Sequence, residues 1–176
     1  MRLPGKAQSQ FGYAIPAPAP ADLQSYAYRL LLYIMTHGYE GRLGSEMIGK
    51  QGLLYYISSN YHSDGRASWI AIHFGVDPDK LERSRIEFSR ILQDLKTKPP
   101  TQQELEEAQN HLIGRRITAY QSNEELSAFY AREFIEQGRI MTQQEFEQRV
   151  RAVTLSQVRA IVSRFLEGAI AVVDTR

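Results

Sequence analysis

The sequence predicts an α+β fold in two layers, with a mostly antiparallel sheet packed against several helices. An Asp-Gly turn at 64–65 joins two stretches rich in β-branched and aromatic residues, which is typical of a β-hairpin. Helix-start signals then follow one another across residues 101–157 without a strand pattern between them. Because strands and helices do not alternate, a doubly wound parallel sheet is disfavoured.

Composition argues for a single globular domain and against several kinds of binding site. The chain has 176 residues, of which 43% are hydrophobic, enough for one sizeable core, and we expect residues 1–176 to form a single domain. A net charge of +1 argues against nucleic-acid binding, and the absence of cysteine excludes disulfides and thiolate metal sites. No apolar run approaches the roughly 20 residues of a membrane span. The compartment stays open between periplasm and cytoplasm.

The first strand and helix are marked by periodicity. Residues 8–17 alternate as a strand, with Phe11, Tyr13 and Ile15 on one face, until the prolines of 16–20 end it. Asp22 is the expected cap of a helix that ends at Gly38. One face of that helix carries its apolar residues at helical spacing: Leu23, Tyr26, Ala27, Leu30, Leu31, Ile34 and Met35.

The stretch 41–56 organises the rest of the chain. Gly44 and Gly49 interrupt a sequence that otherwise favours helix, which predicts a short helix and a glycine turn. We expect a strand to follow at once, with Tyr55 and Tyr56 at its start on opposite faces and Tyr56 in the core.

The remaining elements follow in order. Residues 53–61 and 67–76 form the predicted hairpin, with Trp69 expected against the helical layer. Asp77-Pro78 begins a helix that Pro99-Pro100 ends, and its apolar stripe is Leu81, Phe88, Ile91, Leu92 and Leu95. Four capping pairs predict four further helices: Thr101/Glu104, Ser122/Glu125, Thr142/Glu145 and Thr154/Gln157. Residues 169–173 predict a buried strand that returns to the sheet.

A resemblance becomes specific at 41–55. The segment is similar to the pattern S-R-L-x-x-x-L-R-x-K-Q-G-L-x-Y of the pitrilysin/insulinase (mitochondrial processing peptidase-like) family of zinc peptidases, in the half that does not bind zinc. Arg42-Leu43, Lys50-Gln51-Gly52-Leu53 and Tyr55 match, Met47 replaces leucine, and Ile48 replaces the second arginine. The helix at 101–114 and the closing block 153–173 also resemble the family, in the same order.

The resemblance implies a function for the larger protein. It implies the C-terminal, zinc-free domain of a zinc peptidase, a fragment that closes a chamber around an extended peptide and does not hydrolyse it alone. Zinc is then expected in an N-terminal domain or partner subunit that carries H-x-x-E-H. The four histidines of this chain, His37, His62, His73 and His111, lack that spacing, so we expect no cofactor here.

Two residues are candidate substrate contacts. In the family, the tyrosine and the second arginine reach the substrate across the chamber, and loss of one such donor costs about 2.7–4 kcal/mol. The resemblance therefore implies substrate binding by Tyr55, while Ile48 cannot donate. Arg42 either contacts substrate or fixes the turn through a carboxylate or helix-end carbonyls, a task that suits its forked guanidinium group.

The replacement at Ile48 keeps a second function open. The domain could serve as a catalytically inactive structural or assembly subunit of the same family, or, if the three matching blocks are coincidental, as an unrelated binding module.

Overall fold

A computed structural model describes residues 8–118 and 122–174. Four strands form one antiparallel sheet in the order β2-β3-β1-β4. Their bounds are β1 Ser9–Pro16, β2 Ser58–Ser63, β3 Ser68–Val76 and β4 Ala169–Val173. The predicted α+β class with an antiparallel sheet is thereby confirmed.

Eight α-helices lie within the described ranges: α1 Gln24–Thr36, α2 Arg42–Gly44, α3 Leu81–Thr97, α4 Gln102–Thr118, α5 Asn123–Gln137, α6 Gln143–Arg151, α7 Leu155–Ala160 and α8 Val162–Phe165. A π-helix, Ser45–Lys50, continues α2, and a 3₁₀ turn, Pro78–Lys80, precedes α3. None of these helices combines the length and apolar character that crossing a membrane requires.

Local side-chain chemistry starts several elements where the sequence predicts. Ser122 with Glu125, and Thr154 with Gln157, form complete capping boxes. Thr101 and Glu104 exchange the same two bonds before α4. At α6 only half of the box forms: Thr142 accepts from the Glu145 amide, while the Glu145 carboxylate pairs with Arg139 and Arg149.

The hairpin turn is built by Asp64 and Gly65. The Asp64 carboxylate accepts hydrogen bonds from the amides of Arg66 (2.9 Å) and Ala67 (2.8 Å). Gly65 adopts φ +84°, a conformation that side chains disfavour. These contacts set the register Ser63↔Ser68 from which β2 and β3 pair.

The core lies between the sheet and the helices. Phe11 of β1 stacks on Phe74 of β3 with ring centroids 4.5 Å apart, and Phe88 of α3 packs on both rings. All three side chains are almost fully buried. The predicted α3 stripe, Leu81 to Leu95, is buried as well. Burial of one such side chain contributes about 1.5–3 kcal/mol, so this cluster is a main source of stability.

The other sheet face is open, and two expectations fail there. Trp69 alternates with the buried Ile70, so it lies on the face opposite the helices, where its ring stacks on exposed His62. Strand β4 forms as predicted and pairs with β1, but Ala169, Ile170 and Ala171 are exposed. Strand β4 lies at one edge of the sheet. An apolar strand at an edge is not covered by a further strand, so these residues stay exposed.

In addition to the strand pairing, the Tyr13 side chain of β1 holds the segment that leads into β4. The buried Tyr13 hydroxyl donates to the Phe165 carbonyl and accepts from the Gly168 amide at 3.0 Å. Burial raises the pKa of Tyr13, although the bond from Gly168 opposes it.

Candidate functional site

The segment 41–56 contains a helix of changing pitch. Residues Arg42–Gly44 are α-helical, and Ser45–Lys50 continue as a π-helix in which the Gln51 amide bonds the Glu46 carbonyl at 3.1 Å. Gly44 does not interrupt the helix as expected. A Cβ atom there would lie 1.6 Å from the Gly38 carbonyl oxygen, so glycine permits close contact between two backbones. π-Helical turns are rare and are frequent at functional sites.

The chain leaves the π-helix through Gly52, at φ +59°. Leu53 and Leu54 are both 3% exposed, and the Leu53 amide bonds the Met47 carbonyl at 2.8 Å. Tyr55 and Tyr56 then project outward, 66% and 44% exposed. The expected strand start at Tyr55 is wrong, because pairing with β3 begins only at Ser58, and Tyr56 is not a core residue.

Tyr56 places this segment beside the open sheet face. Gly75 of β3 alternates with the buried Phe74 and Val76 and therefore faces away from the helices. A Cβ atom on Gly75 would lie 3.3 Å from the Tyr56 hydroxyl and 3.2 Å from the Gln10 amide nitrogen. Tyr56 thus ends the organising segment at the side of the sheet that the helices leave uncovered.

Arg42 joins this segment to the start of α4. Its Nε and Nη2 atoms donate to the two Glu104 carboxylate oxygens at 2.7 and 2.8 Å. Nη1 donates to the Lys98 carbonyl at 2.6 Å and Nη2 to the Pro99 carbonyl at 3.2 Å. The guanidinium group therefore binds both a carboxylate and the carbonyls at the end of α3, as the structural interpretation of Arg42 requires.

Glu104 is held in its ionised form. Burial raises the pKa of Glu104, but hydrogen bonds from Arg42 and from the Thr101 amide outweigh it, so the pKa is lowered overall. The same carboxylate thus caps α4 and anchors Arg42.

Ile48 lies on the π-helix, where its half-buried side chain packs against the hydrophobic core. It presents no hydrogen-bond donor where the family pattern has arginine.

The fold brings two histidines together that the sequence separates. His37 follows α1 and His111 lies on α4, with ring centroids 4.3 Å apart, and Tyr33 stacks on each at 4.3 Å. His37 also approaches Glu40, with Nε2 and Oε2 3.6 Å apart. Sequence spacing could not reveal this cluster, because contact between two helices creates it. Over residues 8–118 and 122–174, no three histidine, aspartate or glutamate side chains are arranged to hold a metal ion.

Two shallow clefts flank Arg42 on the helical side. One of about 410 Å³ is lined by charged residues that include Glu46, Arg90 and Asp94. Lys50 pairs with Glu46, and Arg90 pairs with Asp94, so these charges neutralise one another. The other, of about 560 Å³, lies beside His37 and Glu107. Neither cleft is lined by Tyr55.

A family model matches residues 1–112 of this chain, and solved structures resemble nearly all of it. The family model for the peptidase M16 inactive domain matches residues 1–112. The crystal structure of a peptidase M16 inactive domain from Pseudomonas fluorescens superposes with a TM-score of 0.82 at 19% identity, covering 100% of this chain and 43% of that one. A protease from Helicobacter pylori gives 0.81 at 17% identity, covering 99% and 42%.

A shorter structure matches almost end to end. The inactive peptidase domain of a proposed zinc protease from Bordetella parapertussis gives a TM-score of 0.78 at 17% identity, covering 97% of this chain and 94% of that one. No curated protein sequence matches the chain. At these identities the structures establish a shared fold, and the chain spans less than half of the Pseudomonas and Helicobacter proteins.

Proposed function

The chain belongs to the peptidase M16 family as an inactive domain, and from that membership we propose that it is the zinc-free half of a larger zinc-dependent peptidase. In this proposal the domain closes a chamber around an extended peptide, and the partner half holds the zinc ion and performs hydrolysis.

The observation that carries the proposal is the presentation of Tyr55. Leu53 and Leu54 anchor the segment in the core, Gly52 turns it outward, and the ring of Tyr55 remains 66% exposed. A phenolic hydroxyl in this position can donate a hydrogen bond to a peptide carbonyl of substrate bound opposite. A donor that strengthens its bond as the carbonyl becomes an oxyanion stabilises the transition state.

Arg42 takes a supporting role in this proposal. Its forked bonds to Glu104 and to the two carbonyls fix the start of the helix that leads to Tyr55. Direct contact with substrate would require the guanidinium group to exchange those bonds for new ones.

Tyr55→Phe in the full-length protein tests the proposal. Hydrolysis of a quenched fluorescent peptide library should fall roughly 100-fold to 1,000-fold in kcat, as for removal of one oxyanion donor. Tyr56→Phe is the matched control, since it removes a neighbouring exposed hydroxyl. An active wild type whose kcat is unaffected by Tyr55→Phe would remove Tyr55 from the reaction.

Ile48 supports a second candidate function, an inactive assembly subunit. The side chain that replaces the family arginine packs on the core instead of donating to a substrate. If the wild-type protein hydrolyses no peptide and Ile48→Arg restores none, while unfolding remains cooperative, the assembly function is favoured. A gain of activity in Ile48→Arg would favour the peptidase.

A further inference from the structure

Helix α5 buries a charged residue and leaves several large apolar residues exposed. On its inner side Glu133 is 7% exposed, and Glu136 and Gln137 are half-buried. On its outer side Phe134 is 59% and Ile135 is 82% exposed. Leu126 and Phe129 are half-buried on the inner side, but a surface helix of a soluble domain ordinarily keeps its other large apolar residues there as well.

Specific bonds hold α5 in this orientation. Arg116 of α4 donates to both carboxylate oxygens of Glu133, at 2.7 and 3.2 Å, and to the Met141 carbonyl at 2.8 Å. Glu133 also accepts from the Met141 amide at 3.0 Å, and Gln137 donates to the Pro20 carbonyl at 2.8 Å. A rotation of α5 about its axis that buried Phe134 would expose or break the buried ion pair between Arg116 and Glu133. Breaking a buried ion pair is costly in free energy.

The outer face is a continuous apolar surface. Tyr130 and Phe134 are one turn apart, and Ala131 and Ile135 lie beside them on the same side of the helix. From their exposed fractions, Tyr130, Phe134 and Ile135 leave roughly 300–400 Å² of side-chain surface open, since aromatic side chains present about 150–250 Å² each. Contiguous patches of this size on a monomer are often interaction sites.

We propose that this α5 outer face, Tyr130, Ala131, Phe134 and Ile135, is the docking surface for the zinc-binding half of the same protein. The inference rests on the proposed function, which supplies that partner. The structurally similar proteins from Pseudomonas and Helicobacter are more than twice as long as the stretch that this chain covers. The rest of such a protein is the occupant that we assign to the face.

The size of the face favours a tethered partner over a second copy. If the partner buries an equal area, the interface totals roughly 600–800 Å². This total lies within the range of about 600–1,500 Å² for interfaces between domains of one chain. A stable complex between separate chains usually buries about 1,200–2,000 Å². Tethering reduces the entropy lost on association, so the smaller surface is sufficient.

A short connector links α5 to one end of the sheet. In the connector between β1 and α1, the Pro20 carbonyl accepts a hydrogen bond from Gln137 of α5, and the Pro18 carbonyl accepts one from the Tyr61 hydroxyl of β2. The Ala17 amide of the same connector donates to the Ser68 carbonyl at the start of β3. The C-terminal end of α5 is thereby joined to the hairpin end of the sheet.

Hydroxyl-radical labelling of the full-length protein and of this chain alone tests the proposal. The isolated chain is a fair reference, because it has its own core and the Bordetella domain of similar extent was crystallised. Labelling of Tyr130, Phe134 and Ile135 should be roughly tenfold lower in the full-length protein, as for side chains at the core of an interface.

Phe134→Glu/Ile135→Glu should restore Tyr130 labelling in the full-length protein, whereas Ile86→Glu, at an exposed apolar residue of α3, should not. In the isolated chain, the free energy of unfolding of the double variant and of Ile86→Glu should each lie within about 0.5 kcal/mol of wild type, because the substituted side chains are exposed. Equal labelling in the two wild-type proteins would overturn the proposal. So would protection in the isolated chain that accompanies dimerisation in sedimentation, which would assign the face to a second copy.

The tests of the two proposals are independent. Loss of the Tyr55 effect on hydrolysis would remove the chamber function while protection of α5 stands. Unprotected α5 with an intact Tyr55 effect would remove only the docking surface.

Discussion

His37, which follows α1, and His111 of α4 pack against each other with ring centroids 4.3 Å apart and ring planes tilted by 53°. Burial lowers the pKa of His111 from its ordinary value of 6.5, and the charges of His37 and Arg115 lower it further. Glu40 opposes the shift, and Glu107 faces Tyr33 in the same cluster. The folded state therefore binds the His111 proton more weakly than the unfolded chain does.

This relationship predicts a pH dependence with a definite sign. The stability contributed by neutral His111 is present above about pH 6.5 and is lost as the pH falls through that value towards the lowered folded pKa. The urea midpoint should decrease between about pH 7.5 and about pH 5.5. His111→Phe keeps a stacked ring without a proton site and should flatten the decrease, whereas His73→Gln on the open sheet face should not. Parallel curves for wild type and His111→Phe would exclude this group as the cause.

The Arg42 and Glu104 pair should couple strongly. Their side chains are 20% and 27% exposed, and Arg42→Ala leaves Glu104 without its forked partner. We expect a loss of about 1.5–3 kcal/mol in the free energy of unfolding, and a similar loss for Arg42→Lys, since an ammonium cannot reproduce the fork. A double-mutant cycle with Glu104→Ala in urea should give a coupling of about 0.5–3 kcal/mol. Additive losses would mean that the pair contributes little.

Gly44 and Gly114 form a matched pair of helical glycines. Gly44→Ala would drive a Cβ atom into the Gly38 carbonyl and should destabilise the domain by about 1–3 kcal/mol or more. Around Gly114 no atom lies within 4 Å of the added Cβ, so Gly114→Ala should stabilise α4 by about 0.5–1 kcal/mol. Thermal unfolding of the two variants measures the contrast. Equal effects would show that backbone crowding at Gly44 is unimportant.

Glu133→Gln should loosen α5 more than the rest of the domain. It removes the charge that Arg116 holds through two bonds, and breaking a buried pair costs about 3–5 kcal/mol. Because α5 buries few apolar side chains, this loss should appear as local opening. Amide hydrogen exchange should quicken across 123–137 and stay unchanged in β1 and β3. Uniform acceleration throughout the sheet would indicate that α5 unfolds only with the whole domain.

The sequence predicted most successfully those elements that are determined locally. The Ser122 and Thr154 capping boxes and the Asp64-Gly65 turn use contacts within a few residues, and all three are present. The α3 stripe likewise depends only on helical periodicity and a neighbouring core.

Features set by distant contacts could not be predicted. Gly44 looked like an interruption because the Gly38 carbonyl that it touches is not visible in a propensity pattern. Residues 169–173 looked buried because apolar composition does not distinguish a central strand from an outermost one. At the candidate site, the motif located Tyr55, but its exposure follows from Leu53 and Leu54 filling the core before pairing begins. The roles of Tyr55 and Arg42 towards substrate stay predictions.

Because Ser45–Lys50 form a π-helix, the direction of the residues after it depends on how many residues this segment contains. A turn closed by bonds between residues five apart accommodates one more residue than an ordinary turn closed four apart. Deleting one residue there would let the backbone relax to regular α-geometry, so the helix would survive. The phase of everything after it would change, however, and the phenol of Tyr55 would swing away from its present direction while the hydrophobic anchors were pulled out of place. The number of residues in this turn therefore sets the direction in which the Tyr55 hydroxyl points.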